Sequence, residues 1–145
     1  HGRKEGRPPA LDDAFEIAVQ DAVRDLVRAG LVNSAHDCSE GGLAVALAES
    51  CVAGGIGASV RFPARHKALD PAALLFGEEP SRVVVSCVES KVGDVLRVAA
   101  KHGAPVIELG TVGGAALVLG DFATVPVAAL RDAYERTLPA IAGDA

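Results

Sequence analysis

The densest run of residues able to do chemistry is Ser34-Ala35-His36-Asp37-Cys38-Ser39-Glu40-Gly41-Gly42-Leu43. It gathers an imidazole, carboxylates, a thiol and hydroxyls just before paired glycines. The flanking pattern reads as a strand end, a glycine turn and the start of a buried helix. Such a turn aims backbone N–H groups outward at the helix start, where a phosphate is welcome. Asp37 offers the hard carboxylate oxygen that Mg²⁺ takes. Ser39 can donate to a phosphate oxygen or cap the helix. The plainer reading is that Ser39-Glu40 caps the helix while Gly41-Gly42 allows close packing. Spacing alone leaves both readings open, because neither G-x-G-x-x-G nor a Walker A pattern is present.

Cys38 stands near His36, which raises a thiol-nucleophile reading. Strand alternation places His36 and Cys38 on one face and Asp37 and Ser39 on the other. No protease or amidotransferase surround accompanies the pair, so a buried, inert thiol is the better reading. Cys51 and Cys87 read as core residues by the same argument. A second cluster, Leu75-Phe76-Gly77-Glu78-Glu79-Pro80-Ser81-Arg82, precedes a valine run. Glu78, Glu79 and Arg82 there suit an ion-pair network or a ligand contact. They equally suit a solvated loop in which Ser81 starts the next strand. Gly110-Thr111-Val112-Gly113-Gly114 lies between two strand patterns and reads as a hairpin turn. His1, His66 and His102 show no partner in the sequence.

These residues need elements to position them. Leu11, Ala14, Phe15, Ala18, Val19, Ala22, Val23, Leu26 and Val27 recur at spacings of three and four, the stripe of one helix. Asp13 and Glu16 form a candidate capping box, and Gly30 a stop. A strand is expected over 31–37 and a helix, apolar nearly all round, over 43–53. A strand over 57–62 follows, then irregular chain with a helical turn at 71–76 behind Asp70 and Pro71. Val83-Val84-Val85 predicts a buried strand within 81–88. A helix over 90–102, strands over 105–111 and 115–119, and an amphipathic helix over 126–142 complete the order. Leu130, Tyr134 and Leu138 mark the inner stripe of that last helix. The mixture is α+β, with a mixed sheet covered by helices.

The chain has 145 residues, half of them apolar, 23% charged, with a net charge of −5. That predicts one folded domain, with residues 1–10 as a polar, proline-containing arm. Lys and Arg are scattered, which argues against nucleic acid or an anionic membrane as partner. Aromatic residues make up only 3% of the chain, so no stacking platform for bases exists. No apolar run reaches the ~18 residues of a membrane span. Three cysteines without metal-ligand spacing make a disulfide framework and a zinc site poor readings, and point to a reducing, cytoplasmic setting. The chain opens on His1 and contains no Met, which is the expectation for a piece of a longer protein.

Ser34-Ala35-His36-Asp37-x-Ser39-Glu40-Gly41-Gly42-Leu43-Ala44-Val45-Ala46-Leu47-Ala48-Glu49 resembles the second-repeat signature of the phosphoribosylformylglycinamidine synthases. Leu75-Phe76-Gly77-Glu78-x-Pro80-Ser81-Arg82-Val83 resembles the next block of that family. Pro8-Pro9-x-Leu11-Asp12 and Glu108-Leu109-Gly110-x-Val112 also fit, in the right order along essentially the whole chain. The resemblance implies the C-terminal domain type of the aminoimidazole-ribonucleotide-synthetase superfamily, a three-layer α/β/α sandwich, partly ferredoxin-like. It implies a parent enzyme that converts formylglycinamide ribonucleotide, glutamine and ATP to formylglycinamidine ribonucleotide, glutamate, ADP and phosphate. It implies further domains of a parent chain, a separate glutaminase subunit and a small bridging subunit as partners. Carried over by position, Asp37 would hold Mg²⁺ on a bound nucleotide, and Ser39, with Gly41 and Gly42, would touch the nucleotide. No catalytic residue is carried over. Aminoimidazole ribonucleotide synthetase, selenophosphate synthetase and a stand-alone binding or assembly module are the alternatives. The synthetase relatives generally lack the His-Asp-x-Ser-Glu-Gly-Gly run.

Overall fold

In the computed structural model the described residues are 9–63 and 69–143. Most of the expected arm, and His1 and His66, lie outside them. Helix α1 spans Asp13–Arg28. Its N-cap is Asp12, one residue before the expected Asp13, and the Asp12 carboxylate accepts from the Phe15 N–H at 3.0 Å. Either aspartate is a competent cap. Glu16 is thereby freed from the capping box and its carboxylate accepts from the Ser81 hydroxyl instead.

Strand β1 is Ser34–Asp37, and α2 runs over Gly42–Gly54. β2 covers Ala58–Val60, and α3 covers Pro71–Phe76. Asp70 caps α3 by accepting from the Ala72 and Ala73 N–H groups, as the Asp70-Pro71 pair predicts. β3 is Val83–Ser86, and a 3₁₀ turn at Glu89–Lys91 leads into α4, Val92–His102. Three short strands follow: β4 Gly110–Val112, β5 Ala116–Leu119 and β6 Ala123–Pro126. Helix α5, Val127–Ala142, comes last.

The α+β class with a mixed sheet holds, and hydrogen bonding divides the strands into two sheets. β1 and β3 pair antiparallel, with His36 opposite Val84. The other sheet has the order β4-β2-β5-β6, with β2 and β5 parallel and the other neighbours antiparallel. The expected hairpin between β4 and β5 does not form, because β2 lies between them. The Gly113-Gly114 segment instead bridges the start of β2. Gly57 donates to the Gly114 carbonyl at 2.9 Å, and Gly113 donates to the Gly57 carbonyl at 2.7 Å. Only glycine fits at 57, where a Cβ would stand 2.1 Å from the Ala116 carbonyl oxygen.

Helix α2 is the hub. It packs on β1, β3, β5, α3 and α5, which is why its sequence is apolar on nearly every side. Leu43, Leu47 and Cys51 enter the core with Val60, Leu75 and Leu117. Helices α1 and α4 pack on each other, burying Val19, Ala22 and Leu26 on one side and Val95 and Ala99 on the other. His102, partnerless in the sequence, ties this pair together through Asp25 of α1. Three expectations about burial shift. Val83–Val85 are half-buried, since a two-stranded sheet covers less than a central strand would receive. Cys87 beside them is half-buried too. On α5, Val127 is buried and Leu130 packs on the core, but Tyr134 is exposed, and the Leu138 side chain lies outside the described residues.

Candidate functional site

The site grows from the end of β1. Asp37 is the last residue of that strand, and its side chain is 68% exposed. The Ser39 hydroxyl hydrogen-bonds its carboxylate and holds it below the ordinary carboxylate range, helped by the backbone at Asp37 and by nearby His36. Asp37 is thus a solvent-facing anion at neutral pH. Next to it, His36 Nδ1 lies 2.7 Å from the Asp37 carbonyl oxygen. A carbonyl only accepts, so the proton is on Nδ1. His36 Nε2 lies 3.2 Å from Glu49 Oε2 of α2, an ion pair only in the doubly protonated form of the ring.

Cys38 follows, 3% exposed and part of the core. Burial pushes its thiol up from the ordinary value, the wrong direction for a nucleophile. The alternation expected from a strand is therefore present, with Asp37 and Ser39 outward and Cys38 inward.

The turn into α2 uses both glycines. Gly41 has φ +76° and Gly42 φ +67°, in the left-handed region that favours glycine. A Cβ on Gly41 would meet Val45 Cγ2 at 2.4 Å. Gly41 is the N-cap of α2 and has no side chain to cap with. No side chain caps the start of α2, so the helix-cap reading of Ser39-Glu40 does not hold. The Gly41 N–H finds its acceptor elsewhere, on Glu78 Oε1 at 2.9 Å.

That bond joins the two clusters of the sequence. Glu78 belongs to the loop between α3 and β3, which was open to a purely solvated reading. Arg82 in the same loop donates to the Gly77 carbonyl at 3.2 Å, and its own carbonyl accepts from the Cys38 N–H at 2.9 Å. Ser81 does not start the strand. It takes φ +63°, the one non-glycine residue with positive φ among the described residues. Glu79 lines a groove with Pro9, Asp12 and Phe15. The pairing of Glu78 with Gly41 and of Glu49 with His36 had no local signal in the sequence.

The donor set of this locale fits a magnesium ion only in part. Asp37 is an exposed, ionised oxygen ligand of the right kind. Among the described residues no group of three or more His, Cys, Asp or Glu side chains comes together to hold a metal. Asp37 is one such oxygen, and the described residues do not complete a metal site around it.

Residues 1–119 match the family model described as AIR synthase related protein, C-terminal domain. The chain belongs to this family. It is 48% identical, over 97% of its length, to the phosphoribosylformylglycinamidine synthase subunit PurL of Anaeromyxobacter sp. (strain Fw109-5), of which the match covers 19%. It is 46% identical, over 99% of its length, to the subunit of the same name in Thermobifida fusca (strain YX), again covering 19%. The chain thus spans about a fifth of the length of these relatives. Among solved structures, T. maritima PurL complexed with FGAR superposes with a TM-score of 0.75 at 27% identity, covering 90% of this chain and 23% of that one. T. maritima PurL complexed with ATP gives a TM-score of 0.69 at 28% identity, covering 84% and 23%. The likeness extends to PurLQS from Thermotoga maritima, with a TM-score of 0.70, 28% identity and coverage of 84% and 22%. No helix among the described residues is long and apolar enough to cross a membrane.

Proposed function

We propose that this chain is the C-terminal-type domain of a phosphoribosylformylglycinamidine synthase, a cytoplasmic carbon–nitrogen ligase of purine synthesis. Residues 1–145 form one such domain, with 1–10 as its arm. The observation that carries the reading is the 48% identity, across 97% of the chain, to a protein of that name. In this reading the whole enzyme uses ATP to activate the amide oxygen of formylglycinamide ribonucleotide. Ammonia from glutamine then displaces phosphate, giving the amidine. Other domains of the parent chain, a separate glutaminase and a small bridging subunit complete the machine; PurLQS is the parallel among the structures.

The part played by this chain is binding, through one face of a nucleotide site. When bound, Mg²⁺ would neutralise phosphate charge. Asp37 supplies an ionised oxygen for it, held by the Ser39 hydroxyl. Gly41 and Gly42 shape the turn beside Ser39: the Gly41 N–H is taken by Glu78, and Gly42 is buried against the end of α3. The thiol of Cys38 is withdrawn into the core. The expectation is that the chain by itself is inactive.

The test is turnover by the full protein that carries this sequence. Supplied with formylglycinamide ribonucleotide, ATP and ammonium, it should form formylglycinamidine ribonucleotide with one ADP and one phosphate per product. A folded, nucleotide-binding protein that leaves formylglycinamide ribonucleotide untouched overturns the reading.

A further inference from the structure

We propose that Glu78 is a positioning residue for the candidate nucleotide site, acting through Gly41 to hold the turn that presents Asp37 and Ser39. The inference deepens the reading above and rests on it.

The turn needs an outside hold. Two successive residues, Gly41 and Gly42, sit at positive φ, and glycine enters that region as readily as it leaves it. The N-cap of α2 has no side chain, and the nearest hydroxyl, Ser39, is engaged with Asp37. Nothing local therefore fixes the Gly41 amide. Glu78, 37 residues away in sequence, accepts from it at 2.9 Å. A carboxylate at a helix N-terminus is a favourable acceptor, through both charge and hydrogen bond.

The support of Glu78 is itself rigid. The Gly77 N–H donates to the Ala73 carbonyl at 3.0 Å, ending α3. The Gly77 carbonyl accepts from Arg82 Nη1 at 3.2 Å. Neither glycine has room for a Cβ: one on Gly42 would stand 2.8 Å from the Gly77 carbonyl oxygen, and one on Gly77 would stand 2.4 Å from the Ala73 carbonyl oxygen. Arg82 then reaches back, accepting from the Cys38 N–H at 2.9 Å. The loop grips the site from both sides, at Cys38 before Ser39 and at Gly41 after it. Its far end is anchored on α1, where Ser81, in its left-handed conformation, donates to Glu16. A non-glycine residue held at positive φ persists only where its surroundings over-determine it.

The arrangement distinguishes an acceptor role from a charge role. Gln at position 78 keeps an oxygen acceptor without the charge, whereas Ala keeps neither. In the full protein carrying this chain, equilibrium binding of ADP with Mg²⁺ is measured for wild type, Glu78→Gln, Glu78→Ala and Asp37→Asn. Glu78→Ala should weaken binding by about tenfold or more, the loss of one hydrogen bond to a charged acceptor. Glu78→Gln should stay within about threefold of wild type, a rescue that hydrogen bonding explains and charge does not. Amide hydrogen exchange adds a reading that does not depend on the variants folding: the Gly41 N–H should be protected in the wild type. Loss of binding in Asp37→Asn with full binding in Glu78→Ala would overturn this inference alone. Glu78→Gln as weak as Glu78→Ala, or a freely exchanging Gly41 amide, would overturn it as well. Unchanged binding in Asp37→Asn would remove the site reading and this inference with it.

Discussion

Gly42 and Gly77 meet backbone to backbone: a Cβ built on Gly42 would stand 2.8 Å from the Gly77 carbonyl oxygen. The first turn of α2 thus rests directly on the end of α3. Gly42→Ala should carry two costs. The left-handed φ of +67° is unfavourable for an L side chain by about 1–2 kcal/mol. Overpacking against the 76–77 backbone adds about 1–3 kcal/mol. Gly103→Ala separates the two, since Gly103 has φ +75° but nothing within 4 Å of a new Cβ. Denaturant melts of both variants should show the larger loss at Gly42. Equal losses would mean that the α2–α3 contact yields freely.

The buried thiols set a second expectation. Cys38 and Cys51 are buried and raised above the ordinary thiol value by that burial, whereas Cys87 is only half-buried. Under native conditions an alkylating reagent should label Cys87 first, with Cys38 and Cys51 following only on unfolding. Cys38→Ala in the full protein should keep ammonia-driven turnover within about tenfold of wild type. A loss of about a thousandfold, or ~4 kcal/mol of barrier, in a folded variant would restore Cys38 as a nucleophile.

Asp37→Asn makes a third case. A ligand that binds only the folded state stabilises it by mass action, about 2.7 kcal/mol at a hundred times its Kd. Adding Mg²⁺ and ADP to the full protein should raise the melting temperature of wild type and leave that of Asp37→Asn nearly unmoved. An equal rise in both would detach Asp37 from the nucleotide site.

Much of this architecture is written locally. The stripe of α1, the all-apolar α2, Asp70-Pro71 before α3 and the glycine stop at 103 each place an element by a short-range rule. The exposed Asp37 and the buried Cys38 follow from strand alternation alone. What was not legible is non-local. A Gly-Gly turn between two strands looks the same whether they pair with each other or, as here, flank a third. β6 escapes because Ala123–Pro126 is short and runs straight into α5. The Glu78–Gly41 bond joins residues that no periodicity relates, and it decides that the two motif clusters form one locale. Asp12 and Asp13 are adjacent and equally suited to capping, so sequence could only place that cap to within one residue.

Asp25 and His102 bear on the acid limb of stability. His102 Nε2 lies 2.8 Å from Asp25 Oδ2, and Lys101 Nζ lies 3.5 Å from the same oxygen. The His102 hydrogen bond holds the Asp25 carboxyl below its ordinary value, outweighing the desolvation that opposes it, with a lesser contribution from the Lys101 charge. A depressed folded-state value stabilises the protein fully above the unfolded carboxylate pKa of about 3.9. The contribution is lost as pH falls from there through the folded value, because the unfolded state binds the proton more readily. At neutral pH, Asp25→Asn should therefore melt below wild type, since it removes the charged partner that joins α1 to α4. As pH is lowered below about 4, wild type should lose stability faster than the variant, and the gap between them should close. Melting temperatures of both proteins from pH 7 to pH 3 check this. A gap that stays constant across the range would show that the Asp25 charge contributes nothing to the α1–α4 contact.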